Sequence, residues 1–394
     1  DPDTLCGQQG WFGEESLDIE AVHSFAPGAN ILYVGATTCE GDALNDVLYD
    51  TIDSFSPPDI ISNSWSENGE FTTPNEQLVN NDQFLQAAAQ GISVLFATGD
   101  DGDLSQVNGV ASGSWPGNSP WVTAVGGTTL ALQNSSGDKQ EWGWGNYRAF
   151  LGGTAKITSG GTVITASDKL GAFSFYGGAG GGVSFYQPQP SYQKGVVPAS
   201  ISTVTYSVVG EPMFYSPPRR VVPDVAMEAD PYTGFLVGET YTIAGDPISD
   251  GPCTAYSKTT EYCEDSIGGT SLATPSLAGV LALVNQARHQ KGLSPVGFFN
   301  PALYNLKVGV SGTHAQPLID VDAPATPTAL LRAYPASLKE NPRVVTVNSQ
   351  VFSGCPGRVC EGVDDVFLTT TKAFDNVTGR GTPWVPSLIT ALGG

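Results

Sequence analysis

The chain has 394 residues, 17 of them Lys or Arg against 39 Asp or Glu, for a formal charge of −22. That length can bury a sizeable core, and the acidic surplus argues against nucleic-acid and anionic-membrane partners. Charged residues are only 14 % and Gly (48) and Pro (28) are plentiful, as in secreted, loop-rich proteins whose carboxylates lose their mutual repulsion in acid. No 18-residue apolar run suggests a membrane span and no leader is visible, so a mature secreted chain in an acidic extracellular setting is expected.

In chain order, residues 31–35 (Ile-Leu-Tyr-Val-Gly) read as a strand and 41–54 as a helix. Residues 59–64 read as a strand, 75–90 as a helix, and 92–97 and 121–125 as two more strands. Short runs apolar on both faces, alternating with helices, indicate a parallel sheet flanked by helices in an α/β fold. Sites in such sheets gather at the carboxyl ends of strands, where Ser62, Ser64 and Trp65, and then Asp100, fall. Residues 139–186 turn rich in Gly, Ser and aromatics and read as hairpins and long surface loops. Residues 322–366 form a second loop-rich stretch. The glycine run 177–182 lacks the lysine and following helix of a phosphate loop.

Six cysteines allow fifteen pairings. Three local ones stand out: Cys6 with Cys39, Cys253 with Cys263, and Cys355 with Cys360. None has zinc-site spacing, and disulfides suit an oxidising compartment.

The segment Gly268-Gly269-Thr270-Ser271-Leu272-Ala273-Thr274-Pro275 sets a serine on a glycine-rich turn at the mouth of a long apolar helix. The mouth of a helix presents unpaired N–H groups and a positive dipole end. Pro275 is expected in the first turn, where its missing N–H costs nothing. Ser271 as a nucleophile requires a base, and the three histidines do not provide one. His289 follows it by 18 residues, roughly 27 Å along a helix; His23 and His314 lie in no triad-like context. Glu14 and Asp18 offer an alternative, since carboxyls four residues apart share one helical face and share a proton when close. A carboxylate base of low basicity suits acid conditions.

Together these segments resemble the sedolisin family of serine-carboxyl peptidases. The resemblance runs through Glu14-x-x-Leu17-Asp18, Ser62-Asn63-Ser64-Trp65, Ala97-Thr98-Gly99-Asp100, Trp115-Pro116, Val122 to Thr129, Val222-Pro223-Asp224-Val225, Gly268 to Pro275, and Phe374-Asp375-x-x-Thr378-Gly379-x-Gly381. It implies a subtilisin-like fold and one catalytic domain over 1–394. Ser271 would be the nucleophile, Glu14 the base, Asp18 its proton-sharing partner, and Asp100 a protonated oxyanion-hole donor beside the Ser271 N–H. Ser62, Ser64 and Trp65 would wall the substrate cleft. The resemblance further implies one structural Ca²⁺ in a C-terminal region of about 318–381. Asp320 and Asp375 would bind it together with the carbonyls of Val321, Thr371 and Ala373; the family usually has glycine at the last two.

Relatives carry several dozen catalytic-domain residues ahead of the glutamate, whereas this chain has 13. A retained N-terminal fragment or second chain is therefore expected, with the propeptide removed, on an otherwise monomeric enzyme acting on protein or peptide substrates. Endopeptidase action is preferred over tripeptidyl release. A glycoside hydrolase built on Glu14 and Asp18 leaves Ser271 and Asp100 idle, and a non-catalytic binding protein leaves all four idle. Two sequons, at Asn134 and Asn376, would accept glycans in a eukaryotic host.

Overall fold

The computed structural model describes residues 8–105, 111–132, 139–152, 156–158, 161–163, 169–170, 174–203, 205–208, 211–214, 217–241, 261–323, 329–332, 343–348 and 368–394. Its centre is a sheet of four parallel strands, β1 (Ile60–Asn63), β2 (Ser93–Ala97), β3 (Thr123–Leu132) and β5 (Val225–Glu228), in that order. The antiparallel β4 (Lys139–Gly143) pairs with the far half of β3. Every residue of β2 is buried, as a strand covered on both faces requires. The register sets Ile60 beside Ser93, Leu95 beside Thr123 and Val125 beside Val225.

Four helices matter to the site: α1 (Gln8–Phe25), α2 (Gly41–Ile52), α3 (Pro74–Gln90) and α4 (Thr270–Gln290). The start of α3 is fixed by a capping box, in which Thr73 Oγ1 accepts the Glu76 N–H and Glu76 Oε2 accepts the Thr73 N–H. Helix α4 is buried along most of its length, placing Leu272, Leu277, Leu281 and Val284 in the core. Leu17 and Ala21 pack with Leu272 and Val237, which seats α1 on α4. A hairpin of Phe235–Tyr241 and Glu261–Ile267 leads straight into the turn before α4.

Two expectations need correction. Residues 31–36 run without a ladder partner among the described residues, and Leu32 is 73 % exposed. An apolar, β-branched run becomes a strand only where a neighbouring backbone pairs with it, and none does here. The supposedly loop-rich 322–366 contains two strands, Ala329–Arg332 and Arg343–Asn348, the latter pairing antiparallel with Gly145–Gly152. The run Val344-Val345-Thr346-Val347 was their signal. The glycine run 177–182 serves packing: a Cβ on Gly180 would collide with the Thr98 carbonyl.

A buried ion pair ties the sheet to its C-terminal surroundings. Asp224 Oδ1 and Oδ2 accept from Arg220 at 2.9 and 2.7 Å, and Asp224 also accepts the Ala124 N–H and the Tyr304 hydroxyl. Both residues are wholly buried. Arg220→Ala strands that carboxylate and is expected to cost about 3–5 kcal/mol, read as a fall in the midpoint of urea unfolding.

Candidate active site

Ser271 is the second residue of α4, and Gly269 caps the helix with φ +89°. Position 269 must be glycine on two counts. The backbone is left-handed, and a Cβ there would stand 2.6 Å from Asp100 Oδ2. Thr270 fixes the other oxygen of that carboxyl: its N–H and its hydroxyl both donate to Asp100 Oδ1, at 2.8 and 2.9 Å. Asp100 follows the carboxyl end of β2, so a strand end and a helix mouth meet at one side chain. Burial pushes the Asp100 pKa up, against the opposing pull of the Thr270 donors.

Glu14 and Asp18 project from α1 toward the same turn. Burial raises Glu14 to about 7, the Ser271 hydroxyl lowers it, Asp100 raises it again and Ser64 lowers it. Its Oε1 is buried and accepts no hydrogen bond, so this carboxyl keeps an open acceptor. Asp18 is held well above the ordinary range by burial and then by the neighbouring Glu14 charge.

Pro275 lies inside α4, a turn later than expected from the sequence. Its missing N–H leaves the Ser271 carbonyl without its helical donor, and Ser64 Oγ donates to that carbonyl at 3.2 Å. The same Oγ lies 2.6 Å from Asp18 Oδ1. One hydroxyl proton cannot serve both acceptors. When Asp18 is protonated it donates to Ser64, and Ser64 is free to donate to Ser271. The raised pKa of Asp18 favours that arrangement.

The sequence-predicted quartet of Ser271, Glu14, Asp18 and Asp100 is thus brought together. Ser64 sits within it as a connector; the cleft-wall role foresaw no such link. Trp65 packs edge-on against Phe96 at 5.1 Å, and Ser62 Oγ is buried without a partner. Thr270 was not foreseen, although it stands in the quoted serine motif. The three histidines are exposed, and His314 stacks on Trp384.

At the C-terminal region, Asp320 Oδ2 accepts the Ala373 N–H at 2.9 Å, and Asp375 Oδ2 accepts the Thr371 N–H at 3.0 Å. Ala373 has φ +72°, a left-handed conformation that explains a glycine preference there. Val321 is buried beside them. Among the described residues no group of three or more His, Cys, Asp or Glu is placed to hold a metal ion, so backbone carbonyls would have to complete any cation site here. Cys39 is disulfide-bonded. Cys6, Cys253, Cys355, Cys360 and the side chain of Cys263 lie outside the described residues, as does Asn134. Asn376 is buried, with its Oδ1 accepting the Thr369 N–H, so that sequon is closed to a glycan in the folded chain. No described helix is long and apolar enough to cross a membrane.

The family model described as Subtilase family matches residues 10–300. The chain belongs to the subtilase family. Its resemblance to the sedolisins holds as well. It is 32 % identical over 296 residues to kumamolisin of Bacillus sp. (strain MN-32), covering 75 % of this chain and 42 % of that protein. It is 28 % identical over 316 residues to dog (Canis lupus familiaris) tripeptidyl-peptidase 1, covering 79 % and 39 %. This subtilase therefore spans about two fifths of the length of the curated relatives it matches. Its fold resembles that of Pseudomonas sedolisin, a serine-carboxyl proteinase solved with two molecules of pseudo-iodotyrostatin. The TM-score is 0.57 at 22 % identity, covering 96 % of this chain and 77 % of that one.

Proposed function

We propose that the protein is a serine-carboxyl endopeptidase of the sedolisin type, acting on protein or peptide substrates in acid. One observation carries this reading: three carboxyls that burial holds above their ordinary pKa converge on the turn bearing Ser271. Ser271 Oγ attacks the scissile carbonyl and Glu14 takes its proton. Asp18 shares the proton load with Glu14. Asp100, kept neutral, donates from Oδ2 to the developing oxyanion beside the Ser271 N–H. Glycoside hydrolysis needs only the Glu14/Asp18 pair and gives no reason for Thr270 to anchor Asp100.

The test is hydrolysis of denatured protein and of peptides with free or blocked N-termini at pH of about 4. Cleavage of blocked peptides supports an endopeptidase; cleavage confined to free N-termini supports tripeptidyl release; no cleavage rejects both. Composition and the Cys39 disulfide support an extracellular, acidic location, and the mature enzyme is read as a product of propeptide removal.

One structural Ca²⁺ belongs to the same proposal. The donor set fits a hard cation: two carboxylates held against one loop by its N–H groups, with the Val321, Thr371 and Ala373 carbonyls on the same segments to complete it. When bound, the ion would offset the paired negative charge of Asp320 and Asp375 and lock 371–375 onto 320–321. Chelation with EDTA is expected to lower Tm by several degrees and Ca²⁺ to restore it; an unchanged Tm removes the ion from the reading.

A further inference from the structure

Glu228 ends β5 and opens the turn that leads to the hairpin before α4. Its Oε1 accepts two hydrogen bonds from that turn, the Asp230 N–H at 3.0 Å and the Thr233 hydroxyl at 2.7 Å. One carboxyl oxygen thereby clasps both sides of residues 228–233. The clasped turn lies against the approach to Ser271. The Ala229 carbonyl accepts the Gly269 N–H at 2.6 Å, and the Pro231 carbonyl accepts the Ser266 hydroxyl at 2.7 Å. A Cβ on Gly268 would collide with the Ala229 carbonyl and the Pro231 nitrogen. Turn and approach meet at backbone contact, which leaves no slack to absorb a shift. From Gly269 the chain passes to Thr270, whose N–H and hydroxyl hold Asp100, and then to the Ser271 N–H.

The other oxygen of Glu228, Oε2, is buried and makes no hydrogen bond among the described residues. Two carboxyls act on it, Asp230 on its own turn and Glu141 on β4. Both are engaged elsewhere. Asp230 accepts from Thr129, Asn146 and the Tyr232 N–H, and Glu141 accepts from Thr128 and Thr382. A charge on Glu228 would be unsolvated at Oε2 and repelled from two directions. The neutral acid keeps both Oε1 bonds without that penalty. Burial foremost, with Asp230 and Glu141 adding, holds the carboxyl well above its ordinary range despite the Thr233 hydroxyl.

We propose that Glu228 is a positioning residue for the Ser271 turn, a carboxylic acid that clasps 228–233 against Gly268 and Gly269 and lets go on ionising. The inference rests on the peptidase reading, because what the clasp sets in place is Asp100 and the Ser271 N–H. Glu228 acts through Ala229 and Gly269, not on the substrate. Its clasp is whole in acid and is lost as pH rises through the folded pKa, closing the working range from the alkaline side.

The test compares the parent protein with Glu228→Gln and Glu228→Ala, measuring kcat and KM on a quenched fluorescent peptide from about pH 3 to 8. Hydrogen-exchange protection of the Gly269 and Thr270 amides is measured on the same proteins. Glu228→Gln keeps the Oε1 acceptor and turns N–H donors toward the two carboxyls, with no proton to lose. Its kcat at about pH 4 should lie within about twofold of the parent, and its alkaline fall should move up by about one pH unit or more. Glu228→Ala opens the clasp at every pH and should lower kcat about tenfold or more with KM unchanged. Amide protection should decline with rising pH in the parent and stay level in Glu228→Gln. Parent kcat in Glu228→Ala, a Glu228→Gln profile that coincides with the parent's, or parent protection that ignores pH overturns the inference. Should Glu228→Ala not fold, the other two readouts decide. Should the parent cleave nothing, the peptidase reading falls, and amide protection alone decides the clasp.

Discussion

Ser271→Ala is expected to reduce peptide hydrolysis at acid pH by roughly 10⁵-fold or more, with Tm almost unchanged. Removing a nucleophile that acts as one unit with its base forfeits nearly the whole covalent route, leaving only binding and oxyanion stabilisation. Glu14→Gln should come close to that loss, since the amide cannot take the serine proton. Asp100 should behave differently. Asp100→Ala removes one oxyanion donor and should cost about 10²–10³-fold in kcat, whereas Asp100→Asn keeps an N–H donor and should lose less. Initial rates on a quenched fluorescent peptide, with Tm of each variant measured alongside, check the series. Cleavage by Ser271→Ala at the parent rate would remove Ser271 from the chemistry.

Stability is expected to fall as pH rises from about 4.5 through 7. Glu14, Asp18, Glu70, Asp100 and Glu228 are all raised, each with burial as the leading cause. A carboxyl whose folded pKa lies above its unfolded value contributes stability fully below the unfolded pKa. The contribution drains away as pH rises through the folded pKa. Glu70 is the clearest case. It is buried and raised to about 7, although Ser184 Oγ and the Phe185 N–H donate to it, and Glu67 adds to the rise. Its share of the loss is roughly 3 kcal/mol. Thermal unfolding from pH 4 to 8 should show the decline, and Glu70→Gln, which has no proton to lose, should flatten part of it. A Tm independent of pH over that window would defeat the expectation.

The helices and central strands were legible because their signals are local. The capping box at Thr73 and Glu76, the buried run of β2 and the apolar α4 need no knowledge of distant residues. The meeting of the candidate quartet was legible for a different reason: Glu14 and Asp18 are one helical turn apart, and Ser271 sits in a motif whose glycines announce a tight approach. Pairing was not legible. Residues 31–35 have strand composition but no partner among the described residues, and Arg343–Asn348 found one nearly two hundred residues earlier in the chain. Thr270 was hidden because its role depends on Asp100, 170 residues away in sequence. The link through Ser64 was hidden because it depends on an N–H that Pro275 does not have.

That missing N–H has a consequence for the backbone of Ser271 itself. In an unbroken helix the carbonyl of Ser271 would take its hydrogen bond from the backbone and be indifferent to titration. Here it takes one from a hydroxyl whose orientation depends on whether Asp18 carries a proton. The peptide group of the serine therefore has two polarisation states, selected by a carboxyl on another helix. Its carbonyl stretching frequency becomes a direct spectroscopic reporter of the shared proton.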